Sequence, residues 1–197
     1  MSQTLQSTYD LGEQLADDPI VWVVDDFVTP SECRDVIRAA RNKLSRAKVS
    51  RLGSNTQSNK RTNRVAWLPH DYDDTVRTIG ERVSGFVGLP ADHAESLQVI
   101  HYAKDEEYRP HFDAWDVGTD KGKEKTEQGG NRILTALIYL NSVARGGGTG
   151  FPKLEVEVAA KTGRMCIFHD LVGEGPERHP KALHAGMPVK AGEKWAC

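Results

Sequence analysis

From Pro90 onward the chain alternates apolar and polar residues in short stretches, over 96–103, 107–113, 132–141, 154–159, 163–169, 182–189 and 193–197, separated by Gly and Pro turns. A period of two sends successive side chains to opposite faces and predicts half-buried strands. Before Pro90 the pattern differs. Ile20 to Asp25 is a short apolar strand. Thr29-Pro30-Ser31-Glu32 reads as a capping box with proline at the first helical position, and Cys33, Val36, Ile37, Ala40 and Leu44 follow with helical spacing. A second helix, from Asp73 to Phe86, carries Val76, Ile79, Val83 and Phe86 on one face and is ended by Gly88 and Pro90. Residues 1–18 are polar and read as loosely held. Two helices followed by many strands predict a mainly-β α+β domain, a sandwich or jelly roll with the helices packed on the outer face of its larger sheet. No repeat or linker divides residues 1–197, so one domain is expected.

Composition narrows the class. At 197 residues, 38% hydrophobic and 27% charged, the chain can bury the core of one domain. A net charge of -2 exerts no general pull on nucleic acid or an anionic membrane, so neither is expected as a partner. No stretch is long and apolar enough to span a bilayer, and the first residues lack the basic and apolar regions of a secretory signal. Cys33, Cys166 and Cys197 are odd in number and have neither metal nor redox spacing, which predicts reduced thiols in a cytoplasmic protein. Oligomeric state is not encoded in any recognisable pattern.

The chemistry lies in His111-Phe112-Asp113, His184 and Lys194. On a strand, residues two apart share a face, so His111 and Asp113 are expected to look into one cavity, with His184 arriving from a distant strand. Two imidazoles and one carboxylate on one side of a metal leave positions free for a co-substrate and dioxygen, as in non-haem iron(II) oxygenases. Pairing of 182–189 with 193–197 through a turn at Lys190–Gly192 would set Lys194 opposite His184. A buried ammonium there would meet the far carboxylate of a chelating 2-oxoglutarate, a charge that could not otherwise be buried.

The other candidates carry weaker signals. His169 and Asp170 are adjacent and so face opposite ways on a strand, and His179 lies in a Gly/Pro-rich loop; neither histidine is a first-choice ligand. His70 and His93 flank the second helix as surface residues, and His101 beside Tyr102 is a candidate neighbour of the site. Gly146–Gly150 has no following Lys-Ser/Thr and reads as a turn, not a phosphate loop. Two long polar segments, Ser50–Arg64 and Asp116–Asn131, are candidate substrate loops.

The segments 100–113 (Ile-His-Tyr-Ala-Lys-Asp-Glu-Glu-Tyr-Arg-Pro-His-Phe-Asp), 131–141, 146–152 and 184–195 resemble, in order and spacing, the prolyl 4-hydroxylase family of iron(II)- and 2-oxoglutarate-dependent dioxygenases. The resemblance implies a double-stranded β-helix, with His111, Asp113 and His184 as catalytic iron ligands and Lys194, Tyr102, Thr135 and Tyr139 around the co-substrate. It implies Arg61 and Trp67 near substrate. Fe(II), 2-oxoglutarate and dioxygen are the implied cofactors and co-substrates, with ascorbate as reductant. The implied reaction is hydroxylation of a C–H bond, first of all in a prolyl residue of a peptide or protein, with release of succinate and carbon dioxide. Related halogenases lack the carboxylate that Asp113 provides, which favours hydroxylation. A free amino acid or other small-molecule substrate would use the same centre, and a non-catalytic cupin-type metal-binding module would need the three ligands but not Lys194 with Tyr102.

Overall fold

The structure is a computed structural model that describes residues 5–47, 49–51, 54–56, 60–127 and 129–197. In chain order its elements are β1 (Glu13–Asp17), β2 (Ile20–Val24), α1 (Pro30–Arg41), β3 (Ser45–Arg46), β4 (Val49–Arg51), β5 (Ser54–Thr56), β6 (Arg64–Leu68), α2 (Asp74–Val87), β7 (Leu97–Tyr102), β8 (Tyr108–His111) and α3 (Asp120–Thr126). They continue with β9 (Leu134–Ile138), β10 (Arg145–Gly146), β11 (Thr149–Phe151), β12 (Val156–Val158), β13 (Met165–His169), β14 (His184–Gly186), β15 (Val189–Ala191) and β16 (Lys194–Ala196).

The larger sheet runs β1-β2-β13-β9 and continues, through a bridge between Tyr139 and Ala196, into β16-β7-β6-β3. The smaller sheet runs β12-β11-β14-β8. Alternation divides the apolar residues between two cores. Trp22, Val24, Met165, Ile167, Ile138 and Trp195 point outward and pack with Val36, Ala40, Val76 and Ile79 of the two helices. Val21, Val23, Cys166, Phe168 and Tyr139 point inward to meet Phe151 and Val158 of the smaller sheet.

Both helices begin and end as their sequences dictate. Thr29 accepts from the Glu32 amide while the Glu32 carboxylate accepts from the Thr29 amide, and Gly88, at φ 71°, closes α2 in the left-handed conformation that glycine adopts most cheaply. Glu32 also receives Arg82 of α2 at 2.6 and 3.1 Å, fastening one helix to the other.

Several expectations are corrected. Within the polar segment 1–18, the described residues include β1, which pairs with β2, and Tyr9, whose ring is buried against Trp22 and Phe86. Gly146–Gly150 is not simply a turn, since Thr149 and Gly150 pair with Gly186 and Ala185 of β14. The polar segment Asp116–Asn131 contains α3, capped by the Thr119 hydroxyl. Of the other polar segment, Ser50–Arg64, the hairpin of β4 and β5 is present, while residues 52–53 and 57–59 and the side chains through 59, Arg51 included, lie outside the described residues. The strand 182–189 is two strands, β14 and β15, in different sheets, and it does not form a hairpin with 193–197. Lys194 stands opposite Tyr102 of β7, and His184 stands opposite His111 of β8. Among the described residues no helix is long and apolar enough to cross a membrane.

Candidate active site

The cross-strand register of β8 and β14 sets His111 and His184 face to face, with ring centroids 4.3 Å apart. Strand β8 ends at His111, so alternation alone does not aim Asp113; the bend that follows the strand turns its carboxylate back between the two rings. Asp113 Oδ1 lies 3.6 Å from His111 Nε2, and Oδ2 lies 3.6 Å from His184 Nε2. One donor atom from each of the three residues falls within 4.8 Å of the others.

The tautomers follow from the backbone. His111 Nδ1 is 2.9 Å from the carbonyl of Arg109, and His184 Nδ1 is 3.0 Å from that of Ala182. A carbonyl only accepts, so each Nδ1 carries the proton and each Nε2 presents a lone pair toward Asp113. Burial pushes the His184 imidazole down to about 4, despite the opposing pull of Asp113. Burial would raise the Asp113 carboxyl, but His184, His111 and Arg132 outweigh it and hold the acid well below the usual carboxylate range. Two Nε2 donors and a carboxylate are the donor set a divalent iron takes.

Deeper in the same cleft, Lys194 is 1% exposed, with its Nζ 5.1 Å from the ring centroids of both Tyr102 and Tyr139. No carboxylate among the described residues comes within ion-pair distance of it. Burial lowers its ammonium to about 8, the Cys166 thiol opposing slightly. A buried, acid-free cation beside two aromatic faces is a receptor for the far end of a dicarboxylate. The residues present therefore fit both iron(II) and 2-oxoglutarate.

The remaining sequence candidates are distributed as follows. The Tyr102 hydroxyl passes over Gly186, where a Cβ would stand 2.9 Å from it. Tyr139 gives its ring to Lys194, but its hydroxyl is already bonded to Thr149 Oγ1 at 2.7 Å. The Thr135 hydroxyl is 2.9 Å from Asp113 Oδ2, so in this structure it serves the carboxylate ligand. Arg61 lies over the Tyr108 ring, which also stacks on His111, and it is held by Asn63 and Gln98. Trp67 is 48% exposed on the cleft wall. His101 is corrected: it faces the helix side of β7, stacked on Trp195 and 2.8 Å from Glu193, away from the donors. His169 and Asp170 do face opposite ways, the histidine toward Tyr9 and the acid toward Thr135.

Sequence reasoning missed Tyr108, Thr149 and Arg132. Tyr108 shares the face of a strand with His111 only because of the distortion in the β8 and β14 register, which a period of two does not predict. Thr149 was hidden by the glycines around it. Arg132, bonded to Glu95 at 2.5 and 2.9 Å and to the Asp113 carbonyl at 3.2 Å, carried no motif.

A double-stranded β-helix with two histidines and an aspartate converging at its mouth, and a lysine within, defines a 2-oxoglutarate-dependent dioxygenase. Comparisons agree. Residues 97–197 match the family model described as the 2OG-Fe(II) oxygenase superfamily. A protein of Acanthamoeba polyphaga mimivirus assigned as a prolyl 4-hydroxylase is 36% identical over 181 residues, covering 91% of this chain and 73% of its own length. The viral collagen prolyl hydroxylase of Paramecium Bursaria Chlorella virus-1, solved with 2OG, superposes with a TM-score of 0.71 at 24% identity, over 89% of this chain and 92% of that one. A prolyl hydroxylase from Trichoplax adhaerens, solved with a peptide fragment of the hypoxia inducible factor oxygen degradation domain, gives 0.61 at 19% identity, over 89% and 80%. The chain belongs to the prolyl 4-hydroxylase family of 2OG-Fe(II) oxygenases.

Proposed function

We propose that this enzyme hydroxylates a prolyl residue in a peptide or protein, with iron held by His111, Asp113 and His184 and with 2-oxoglutarate converted to succinate and carbon dioxide. The observation that carries the reading is Lys194, a buried cation without an acid partner in the cleft that also holds the three donors. A structural lysine would be paired or solvated; a receptor for a co-substrate is neither.

Iron bound there supplies the activation of dioxygen that turns an inert C–H bond into an alcohol. The protein's share is orientation and exclusion of water. His111 and His184 offer neutral Nε2 lone pairs, and Asp113 supplies the single negative charge. Lys194 receives the far carboxylate of 2-oxoglutarate, with the Tyr102 and Tyr139 rings as its walls. Arg61 and Trp67, on the open side of the cleft, are the proposed substrate contacts, joined by Tyr108. The prolyl and peptide parts of the reading are supported by the relatives, one of them solved with a peptide fragment. Ascorbate is the proposed reductant, and a cytoplasmic location is supported by three buried free thiols.

The test incubates the protein with Fe(II), 2-oxoglutarate and ascorbate against proline-containing peptides, free proline and lysate proteins, scoring a mass gain of one oxygen with equimolar succinate. Oxygen gain in peptides is the expected result. Gain in free proline alone would move the assignment to a small-molecule hydroxylase. No turnover of 2-oxoglutarate, with no loss of its binding in Lys194→Met, would leave the metal-binding module.

A further inference from the structure

Asp170 is a buried acid for which the proposed reaction has no use. It follows β13 by one residue and projects inward with Phe168, on the same face as Thr135 of β9. It is 1% exposed, and its Oδ1 has no hydrogen-bond partner among the described residues. Its Oδ2 lies 2.9 Å from Thr135 Oγ1, and the same Oγ1 lies 2.9 Å from Asp113 Oδ2. Two carboxyl groups thus converge on one hydroxyl, and a hydroxyl has one proton to give. If both acids were ionised, one contact would set an anionic oxygen against a lone pair, in a site where the unpartnered Oδ1 would also be a buried, unsolvated charge. One of the acids is therefore neutral. Asp113 is the ionised member, since it is the carboxylate that stands among the metal donors with His111 and His184, and the Arg132 guanidinium donates to the Asp113 carbonyl. The cation that acts on Asp170 is Arg132, which is already committed to Glu95. His169, its neighbour in sequence, looks the other way, to Tyr9.

We propose that Asp170 is a positioning residue of the metal centre, a neutral carboxylic acid that donates to Thr135 and so commits the Thr135 proton to Asp113 Oδ2. The chain Asp170 to Thr135 to Asp113 fixes the plane of the ligand carboxylate and would hold its remaining lone pairs toward a metal bound with His111 and His184. This rests on Asp113 being a metal ligand. It also explains why a buried acid is tolerated where it touches neither metal nor solvent.

The test uses Co(II) as probe, read by its visible d–d band and by titration, on the full chain with four variants and a fifth as control. Asp170→Asn presents an amide N–H to Thr135 as the neutral acid does, and should match the unaltered protein within about threefold in Co(II) affinity, with the band unmoved. Asp170→Leu keeps the branched skeleton and removes the buried unpaired oxygen, so it should still fold cooperatively while binding Co(II) about 10–100-fold more weakly with a shifted band. Thr135→Val should show the same loss, and Asp170→Leu/Thr135→Val no further loss, because both act through one hydrogen bond. Normal Co(II) binding in Asp170→Leu, losses that add in the double variant, or an Asp170→Asn as weak as Asp170→Leu would each overturn the proposal. His184→Ala is the control for the site itself: if it binds Co(II) as the unaltered protein does, the metal assignment fails along with this one. If it alone loses binding, only the role of Asp170 fails.

Discussion

Lys194 shows what a fold bears when it holds a charge without an acid beside it. Its ammonium is pushed down to about 8 from 10.5 by burial, so the folded state carries a cost, about 3 kcal/mol, whenever the group is protonated. The folded value lies below the unfolded one, so this cost is present in full below pH 8 and fades as pH rises toward 10.5. Lys194→Met should therefore raise the stability of the ligand-free protein at pH 7 by roughly 1–3 kcal/mol, measured by urea unfolding, while 2-oxoglutarate binding falls at least a hundredfold. A variant less stable than the parent would contradict the account of an unpaired buried charge. The same titration predicts that 2-oxoglutarate affinity declines as pH rises through about 8, read as KM for the co-substrate at saturating substrate. A flat profile between pH 7 and 9 would mean that Lys194 stays charged throughout.

At the scale of the element, what was legible in the chain was the face of each side chain, and what was not was the partner of each strand. The capping box at Thr29 and the left-handed Gly88 are local chemistry, so both helices lie where their residues put them. The alternation of Ile133, Thr135, Leu137 and Tyr139 likewise separates inward from outward residues correctly, because it depends on one strand only. Pairing is a property of two strands and leaves no mark in either, which is why Lys194 was expected beside His184 when it lies beside Tyr102. Strands of two or three residues, such as β10, β11 and β15, are too short to show a period at all. The three candidate donors nevertheless meet, since His111 and Asp113 need only be close in sequence and bent toward one another. Asp170 was read for its direction and not for its neighbour. The helix pair makes its own prediction. Arg82 holds the Glu32 carboxyl down to about 2, as Arg164 and then Lys161 do for Asp25. Both acids are depressed, so their contribution is present above their ordinary values near pH 4 and lost as pH falls toward 2. Glu32→Gln, which preserves the capping acceptor and deletes the ion pair, should lower the melting temperature at pH 7 and converge with the parent near pH 2. Equal melting temperatures at pH 7 would show the pair to be energetically idle.

Over the whole molecule, the two sheets divide the chemistry. The smaller sheet supplies His111 and His184, and the larger sheet supplies Lys194 with Tyr102. A ligand spanning iron and lysine therefore ties one sheet to the other across the inner core of Phe151, Phe168 and Tyr139. Mn(II) with 2-oxoglutarate should stabilise the fold by about 2.7 kcal/mol when the dicarboxylate stands at 100 times its dissociation constant. Differential scanning calorimetry should show this increment vanish when either Mn(II) is withheld or Lys194 is Met. A gain from 2-oxoglutarate alone, equal to that with the metal, would mean that it binds at one end only.

The division also bears on how such an enzyme changes over generations. Substitutions around Lys194 and Tyr102 can exchange the acid that is recognised while the donor triad stays intact, so long as Thr135 and Asp170 of the same sheet are kept, and the reverse holds for a change of triad. Two halves that can be varied one at a time give selection a stepwise route to new reactions, with no need for simultaneous changes across the barrel.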